Sequence, residues 1–279
     1  MQRMSVKRTQ FVRHCIFCDA PRVSREHVYA DWMRDYLPVL ARTVHEVSLR
    51  GFNPASGEFG KESYRLPGVM NKTGAPRSRK LYIACEPCNN GWMSVLQESA
   101  RPFLQPLVQQ GTWRHLTVAA QTAIASWACM FTMVYERAHP ETAAINAAQH
   151  RRFMETKVPG DEWRMWVGRP DEHFTAGNFA LHRGRGAAIT SDSRTMEVLT
   201  QVTIAAPGKF AFMTSCDRRP GHELHPMLSF MLDQEADRVG FVRIWPTQER
   251  PIFSDPVPAR LISNSAALQL VDSIARIWG

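Results

Sequence analysis

The sequence predicts an α+β protein in which a small, cysteine-stapled module precedes a mixed α+β domain. The module is predicted by two Cys-x2-Cys motifs, Cys15/Cys18 and Cys85/Cys88. The second part is predicted because, from about residue 112, an apolar helical pattern is followed by several short apolar segments typical of strands. We therefore divide the chain into residues 1–110 and residues 111–279.

The composition is that of a globular protein with a buried core: 279 residues, 44% hydrophobic and 22% charged. The net charge of +8 is uneven, since residues 1–80 hold 15 Lys/Arg against 7 Asp/Glu and residues 81–279 hold 19 of each. Positive charge concentrated at one end favours a polyanionic partner such as nucleic acid. A basic surface that serves only solubility is the alternative.

The sequence favours a cytoplasmic protein without a membrane span. The first 13 residues are polar and basic, unlike the apolar stretch of a secretory signal. Residues 116–135 carry no charge but include five Thr, Ser or Gln side chains, which suit lipid poorly. Their apolar side chains recur at helical spacing, so we predict a buried core helix.

Three elements are expected within the first module. Residues 38–80 are rich in Gly, Pro, Arg and Lys and predict an irregular, basic insertion loop. Residues 81–84 predict a strand that leads into Cys85. A helix is expected over residues 90–101, with Trp92, Val95 and Leu96 buried and Pro102 near its end.

The second part predicts strands at residues 164–168, 174–182, 201–206, 210–215 and 240–245. A final helix is predicted because one face would carry Ala267, Leu270, Val271, Ile274 and Trp278. The remaining cysteines, Cys129 and Cys216, lie in apolar runs and are expected in the core. The sequence indicates no role for this part, and binding of a protein partner or self-association through it stays open.

The two cysteine pairs predict a structural zinc site. Four thiolates from two tight turns meet the tetrahedral demand of Zn²⁺, and paired cysteines in a reducing cytoplasm indicate a metal more than disulfides. The alternatives are that the four cysteines are unrelated, or that one pair is a thioredoxin-like redox motif.

Beside these pairs lie two further blocks, Glu26-His27-Val28 and Cys88-Asn89-Asn90-Gly91-Trp92. Together with Cys15, Cys18 and Cys85-Glu86-Pro87 they resemble the HNH, or ββα-metal, endonucleases whose scaffold is stapled by two Cys-x2-Cys pairs. The similarity covers residues 11–104, and it extends to uncharacterised bacterial and phage proteins, including ones of mobile elements and phage defence. It implies a treble-clef fold for the first module.

The resemblance also implies roles for three residues. Glu26 would be a ligand of a catalytic metal, His27 the general base and Asn89 a second metal ligand. The chemistry is consistent, because neutral imidazole activates water near pH 7 and a cation offsets charge on the scissile phosphate. Carboxylate and amide oxygens suit Mg²⁺ or Mn²⁺. Asn89 as a helix cap is an alternative.

Four basic residues are the candidate contacts to phosphate: Arg25, Arg77, Arg79 and Lys80. An ordinary solvated loop is the alternative for the last three. The sequence thus predicts a metal-dependent endonuclease, with DNA as the expected substrate. A non-catalytic, zinc-stapled nucleic-acid-binding protein with a degenerate site is the other reading.

Overall fold

The computed structural model describes residues 14–37, 47–50, 52–53, 58–59, 64–65, 80–113, 116–137, 143–176, 180–189, 196–218, 226–248 and 260–277. These residues form a mixed α+β structure, as predicted. The strands are β1 (Ser24–His27), β2 (Val47–Arg50), β3 (Phe52–Asn53), β4 (Glu58–Phe59), β5 (Tyr64–Arg65), β6 (Lys80–Ala84), β7 (Trp163–Pro170), β8 (Ala180–Ile189), β9 (Met196–Ala205), β10 (Ala211–Asp217), β11 (Val242–Trp245) and β12 (Leu261–Ile262). The helices are α1 (Glu86–Cys88), α2 (Ser94–Gln110), α3 (Val118–Glu136), α4 (Ala147–Thr156), α5 (Glu172–Ala176), α6 (Pro226–Val239) and α7 (Asn264–Ile277), with a 3-10 helix at Asp31–Tyr36 and a π-helical turn at Asn89–Met93.

The first module is built on an antiparallel pair of strands, β1 and β6, followed by a helix. Strand β6 confirms the strand predicted at residues 81–84, and its register places Arg25 opposite Tyr82 and His27 opposite Lys80. The chain then enters α1, the π-helical turn and α2, with a kink at Gly91, whose backbone is non-helical (φ −91°, ψ −114°). This order of elements places the second cysteine pair at the junction of strand and helix.

Helix α2 is longer than predicted, and the expectation that Pro102 lies near its end is wrong. Pro102 and Pro106 both lie inside the helix, which ends before Gly111 in the left-handed region at φ 64°. A proline inside a helix costs about 3 kcal/mol, and the burial of Leu104, Leu107 and Val108 offsets that cost.

The prediction that Val95 is buried is also wrong, since this side chain is 65% exposed, whereas Leu96 is buried and Trp92 packs partly buried against the core. The buried stripe of this helix follows the i, i+3, i+4 spacing of one helical face, and Val95 lies outside it. Its members are Met93, Leu96, Ala100, Leu104 and Leu107.

The second part is centred on one sheet with the strand order β11-β7-β10-β9-β8-β2-β5, and β12 pairs in parallel with β7. Strands predicted at residues 164–168, 201–206, 210–215 and 240–245 are confirmed, with small differences at their ends. The insertion loop is less irregular than predicted, because β2 joins this sheet in parallel with β8. Pairing between segments so far apart in the chain leaves no local pattern.

The strand predicted at residues 174–182 is wrong in its first half. Residues Glu172–Ala176 form α5, and the strand begins only at Ala180. The Asp171 carboxylate accepts a hydrogen bond from the backbone N–H of Phe174 at 2.5 Å. This contact caps the start of a helix, and it explains why the apolar Phe174 does not begin a strand.

Each face of the sheet is covered by helices. On one side, α6 and α7 pack on Trp166, Ile204 and Met213. The predicted apolar face of α7 is buried at Ala267, Leu270, Val271 and Ile274, and Trp278 lies outside the described residues. On the other side, α3 lies in a core that runs without a break from the cysteine module to Phe212 of β10. The division near residue 110 stays a prediction, and this core crosses it.

Helix α3 is the one helix of the described residues that is long and apolar enough to cross a membrane. Of its apolar window, 78% is buried inside the protein. Its Thr132 hydroxyl is hydrogen-bonded to Thr214 of β10 at 2.8 Å. These contacts confirm the prediction of a buried core helix for this segment.

Candidate functional site

The four predicted cysteines meet at one point. Their sulfur atoms all lie within 4.8 Å of one another, with Cys18 Sγ 3.5 Å from Cys85 Sγ and 3.6 Å from Cys88 Sγ. Cys18 is exposed and the other three are buried. Within the described ranges, this is the one group of three or more His, Cys, Asp or Glu side chains placed to share a metal ion. The arrangement is consistent with a structural metal site.

Backbone hydrogen bonds hold the two cysteine turns in place. The Cys15 N–H donates to the Ala20 carbonyl at 2.8 Å, and the Ile16 N–H donates to the Ile83 carbonyl of β6 at 2.9 Å. Asp19 takes a left-handed conformation at φ 60°, which Asp tolerates better than most residues. The first turn is therefore fixed to the strand that precedes the second turn.

Aromatic side chains from both parts of the chain surround the cysteine cluster. Phe17, inside the first turn, meets the Trp92 ring edge to face at 4.9 Å, and Trp92 packs on Phe153 of α4 at 5.9 Å. The Lys157 ammonium lies 5.0 Å from the Trp92 ring centre. Burial raises the pKa of the Cys88 thiol, so a bound cation would be needed to keep that sulfur a thiolate.

Asn89 ties the start of the helix to strand β1. Its Nδ2 donates to Ser24 Oγ at 3.1 Å and to the Arg25 carbonyl at 3.4 Å, while Ser24 Oγ donates to the Ala84 carbonyl at 3.0 Å. Asn89 lies within the helical run and makes no capping bond, so the helix-cap interpretation is wrong. Because both bonds use the amide nitrogen, Oδ1 is the atom of Asn89 that could contact a cation.

Glu26 points from β1 towards α2. It is only 4% exposed, and its Oε1 accepts a hydrogen bond from Gln97 Nε2 at 3.2 Å. Burial raises the pKa of this carboxyl from 4.5 to about 7, against the opposing effects of that hydrogen bond and of the charge on Lys80. Near neutral pH the group therefore sits at its midpoint of ionisation.

His27 lies on the opposite face of the same strand, as alternation requires. Its Nε2 is 3.8 Å from Asp31 Oδ1, and Asp31 also pairs with Arg34 at 3.0 Å. Burial lowers the pKa of His27, with Lys80 acting in the same direction and Asp31 opposing it, which favours the neutral imidazole. A neutral imidazole is the form that accepts a proton from water.

The structure brings these three residues onto one short strand–helix junction, but no hydrogen bond or ion pair joins Glu26, His27 and Asn89 to one another. Sequence reasoning missed two of their neighbours, Gln97 and Asp31. Each had a weak signal: Asp31 follows His27 by one helical turn, and Gln97 is a polar residue beside the buried Leu96.

The predicted phosphate contacts are only partly described. Lys80 is exposed at the start of β6, and the Arg25 guanidinium lies over the Tyr82 ring with its carbon 5.1 Å from the ring centre. Arg77 and Arg79 lie outside the described residues. The role of all four stays a prediction.

Cys129 and Cys216 are buried in the core, as predicted. Burial raises the pKa of both thiols well above their ordinary value, and the Gln149 amide lies 3.5 Å from Cys216 Sγ. Buried thiols that stay protonated are unreactive. These two residues therefore have a packing role.

Comparison with known protein families, with curated proteins and with solved structures finds no match to this chain.

Proposed function

We propose that the four cysteines hold a structural Zn²⁺. A tetrahedral Zn²⁺ with bonds of about 2.3 Å separates its sulfur ligands by about 3.8 Å. The distances from Cys18 Sγ to Cys85 Sγ, 3.5 Å, and to Cys88 Sγ, 3.6 Å, are close to this separation. The set contains only thiolates and leaves no position open to water, which is typical of a structural site. The metal would join the two cysteine turns at the edge of the core and couple their folding to metal binding.

We propose further that the module is a treble-clef ββα-metal unit and that the protein is an HNH endonuclease acting on nucleic acid, with DNA as the expected substrate. One observation carries this proposal: the Asn89 side chain is bonded to β1 immediately before Glu26 and His27. A candidate amide ligand and a candidate base are thus held on adjoining elements beside the cysteine cluster. Such preorganisation is what a catalytic site requires.

His27 would remove a proton from the attacking water, since burial lowers its pKa and so favours the neutral imidazole. A Mg²⁺ or Mn²⁺ ion bound through Asn89 Oδ1 and the Glu26 carboxylate would offset charge on the phosphate. Metal binding would favour the ionised form of Glu26, which burial disfavours in the metal-free protein. Occupation of the site and ionisation of Glu26 would therefore be coupled.

A second function is favoured by the position of Glu26. Its carboxyl is buried against α2, accepts a bond from Gln97 and lies on the opposite face of β1 from His27. If it does not turn towards a cation, the module has one fewer oxygen ligand. The protein would then be a non-catalytic, zinc-stapled nucleic-acid-binding protein.

The two functions are separated by cleavage assays on plasmid DNA, single-stranded DNA and RNA with Mg²⁺, with Mn²⁺ and with EDTA. We expect metal-dependent cutting by the parent. His27→Ala should lower the rate about 10²–10⁴-fold, the contribution of a general base, and Asn89→Ala should raise the Mg²⁺ concentration for half-maximal rate.

The matched control is His173→Ala, because His173 is an exposed histidine on α5, outside the cysteine module. This variant should cut at the parental rate. A His27→Ala variant that cuts as fast as His173→Ala would show that His27 is not the base. A parent that cuts none of the substrates with either metal would favour the non-catalytic function over the nuclease.

A further inference from the structure

The antiparallel pair of strands β1 and β6 exposes a face formed by Arg25, His27, Lys80 and Tyr82, which we call the strand-pair face. The strand register pairs Arg25 with Tyr82 and His27 with Lys80, so two cross-strand pairs lie side by side. The intervening Glu26 projects to the other face, against α2. The proposed base is thus surrounded on its own face by two cations and one aromatic ring.

Tyr82 is the exposed aromatic residue of this face. It is 44% exposed, so a large part of its ring is accessible to a ligand. The Arg25 guanidinium lies over its ring, and Arg25 Nε donates to the Tyr82 hydroxyl. This pair holds the ring in one orientation while a large part of it stays accessible to solvent.

The charge of the face is positive. Arg25 and Lys80 contribute two cations, and neither makes an ion pair with a carboxylate among the described residues. The acidic group nearest His27 on the following turn is Asp31, which is already paired with Arg34 at 3.0 Å. A ligand that suits this face therefore carries negative charge and offers a flat surface to the Tyr82 ring.

We propose that the strand-pair face binds an unpaired stretch of nucleic acid, with one base stacked on Tyr82 and the adjoining phosphates at Arg25 and Lys80. Unpaired nucleotides present a base face and a charged backbone together, whereas the bases of a duplex are stacked on one another and are not available to the ring. The inference deepens the proposed function by naming its substrate class. It rests on that function only for the conclusion that the strand bound beside His27 is cut.

The test is binding, measured without divalent metal by fluorescence anisotropy of labelled oligo(dT), oligo(rU) and a DNA duplex of equal length. Tyr82→Ala should weaken binding to the single strands about tenfold, within the range for loss of one base–aromatic stack, and should change duplex binding little. Tyr82→Phe should retain most of the parental affinity, because it keeps the ring. The two single strands distinguish RNA from DNA.

Tyr36→Ala is the matched control, since Tyr36 is a comparably exposed tyrosine (39%) on the 3-10 helix. It should bind as the parent does. Melting curves of each variant test whether the substitution destabilises the protein. If Tyr82→Ala does not fold, Tyr82→Trp replaces it in the test, because a larger ring should bind single strands at least as tightly as Tyr.

Equal loss of single-strand and duplex binding in Tyr82→Ala, unchanged single-strand binding, or a parent that binds only duplex would each overturn the inference. Because no cutting is measured, its failure is distinct from that of the nuclease proposal. If the protein cuts duplex DNA and Tyr82→Ala does not change its binding, the proposed function stands and this inference is wrong. If the protein binds single strands through Tyr82 but does not cut, the inference stands and the nuclease proposal is wrong.

Discussion

In the absence of Mg²⁺ and Mn²⁺, replacing Glu26 with Gln should raise the free energy of unfolding of the zinc-loaded protein at alkaline pH. Glu26 is buried, and burial raises its pKa from 4.5 to about 7. Above that pKa the folded protein must hold a buried charge, which the unfolded chain exposes to water at no such cost. Gln has the same shape and carries no charge, and its Oε1 would still accept the bond from Gln97.

The sign and size of the effect follow from proton linkage. Between pH 4.5 and 7 the folded protein binds more protons at this site than the unfolded chain, so the free energy of unfolding falls as pH rises. For pKa values of 7 when folded and 4.5 when unfolded, the fall from pH 5.5 to pH 8 is about 2 kcal/mol. Glu26→Gln lacks this contribution and should become more stable than the parent by that amount over the interval.

The measurement is urea unfolding of both proteins at pH 5.5 and 8, with zinc content checked at each pH. Glu136 is another buried carboxyl whose pKa is raised to about 7 by burial. Its contribution to the free energy of unfolding is the same in both proteins and cancels when their values are subtracted. Glu98→Gln, at an exposed position on α2, is the control and should track the parent. An unchanged difference between parent and Glu26→Gln across the two pH values would refute the burial argument.

Magnesium extends the same experiment to the candidate metal site. If Glu26 is a ligand, Mg²⁺ at about 100 times its dissociation constant should stabilise the parent at pH 8 by about 2.7 kcal/mol. The Glu26→Gln variant should respond much less. Equal stabilisation of both proteins by Mg²⁺ would show that Glu26 is not a ligand of the metal, and it would favour the non-catalytic function.

Two further predictions concern the rest of the first module. Cys85→Ser should lose about one zinc per chain and unfold the module, because metal binding and folding are coupled in small metal domains; a zinc-replete variant with the parental melting curve would contradict the four-cysteine site. Replacing Arg77, Arg79 and Lys80 together with Ala should weaken binding to all DNA sequences and flatten the dependence of log affinity on log salt by up to about 0.9 per lost phosphate contact. An unaltered salt slope would place the phosphate contacts elsewhere.

Local patterns in the sequence were enough to predict much of the secondary structure and the two cysteine turns. The Cys-x2-Cys spacing brings two sulfurs together within each tight turn, whereas the meeting of the two turns, 67 residues apart, is a tertiary contact. The uncharged helical pattern of residues 116–135 predicted a buried helix, because its burial follows from side chains that repeat every turn. These features depend on residues close together in the chain.

Other features depend on contacts between distant segments, and only the tertiary structure decided them. Packing decided which side of α2 is buried, and it kept two prolines inside that helix. Strand β2 was not predicted, since its partner β8 lies more than a hundred residues along the chain.

The candidate site divides in the same way. The sequence by itself singled out Glu26, His27 and Asn89, because the short motifs that contain them resemble those of the HNH endonucleases. Alternation along a strand also predicts that Glu26 and His27 point to opposite faces, but which of the two faces is buried depends on the packing of α2. The tertiary structure therefore decided that Gln97 is the partner of Glu26 and that burial raises its pKa to about 7.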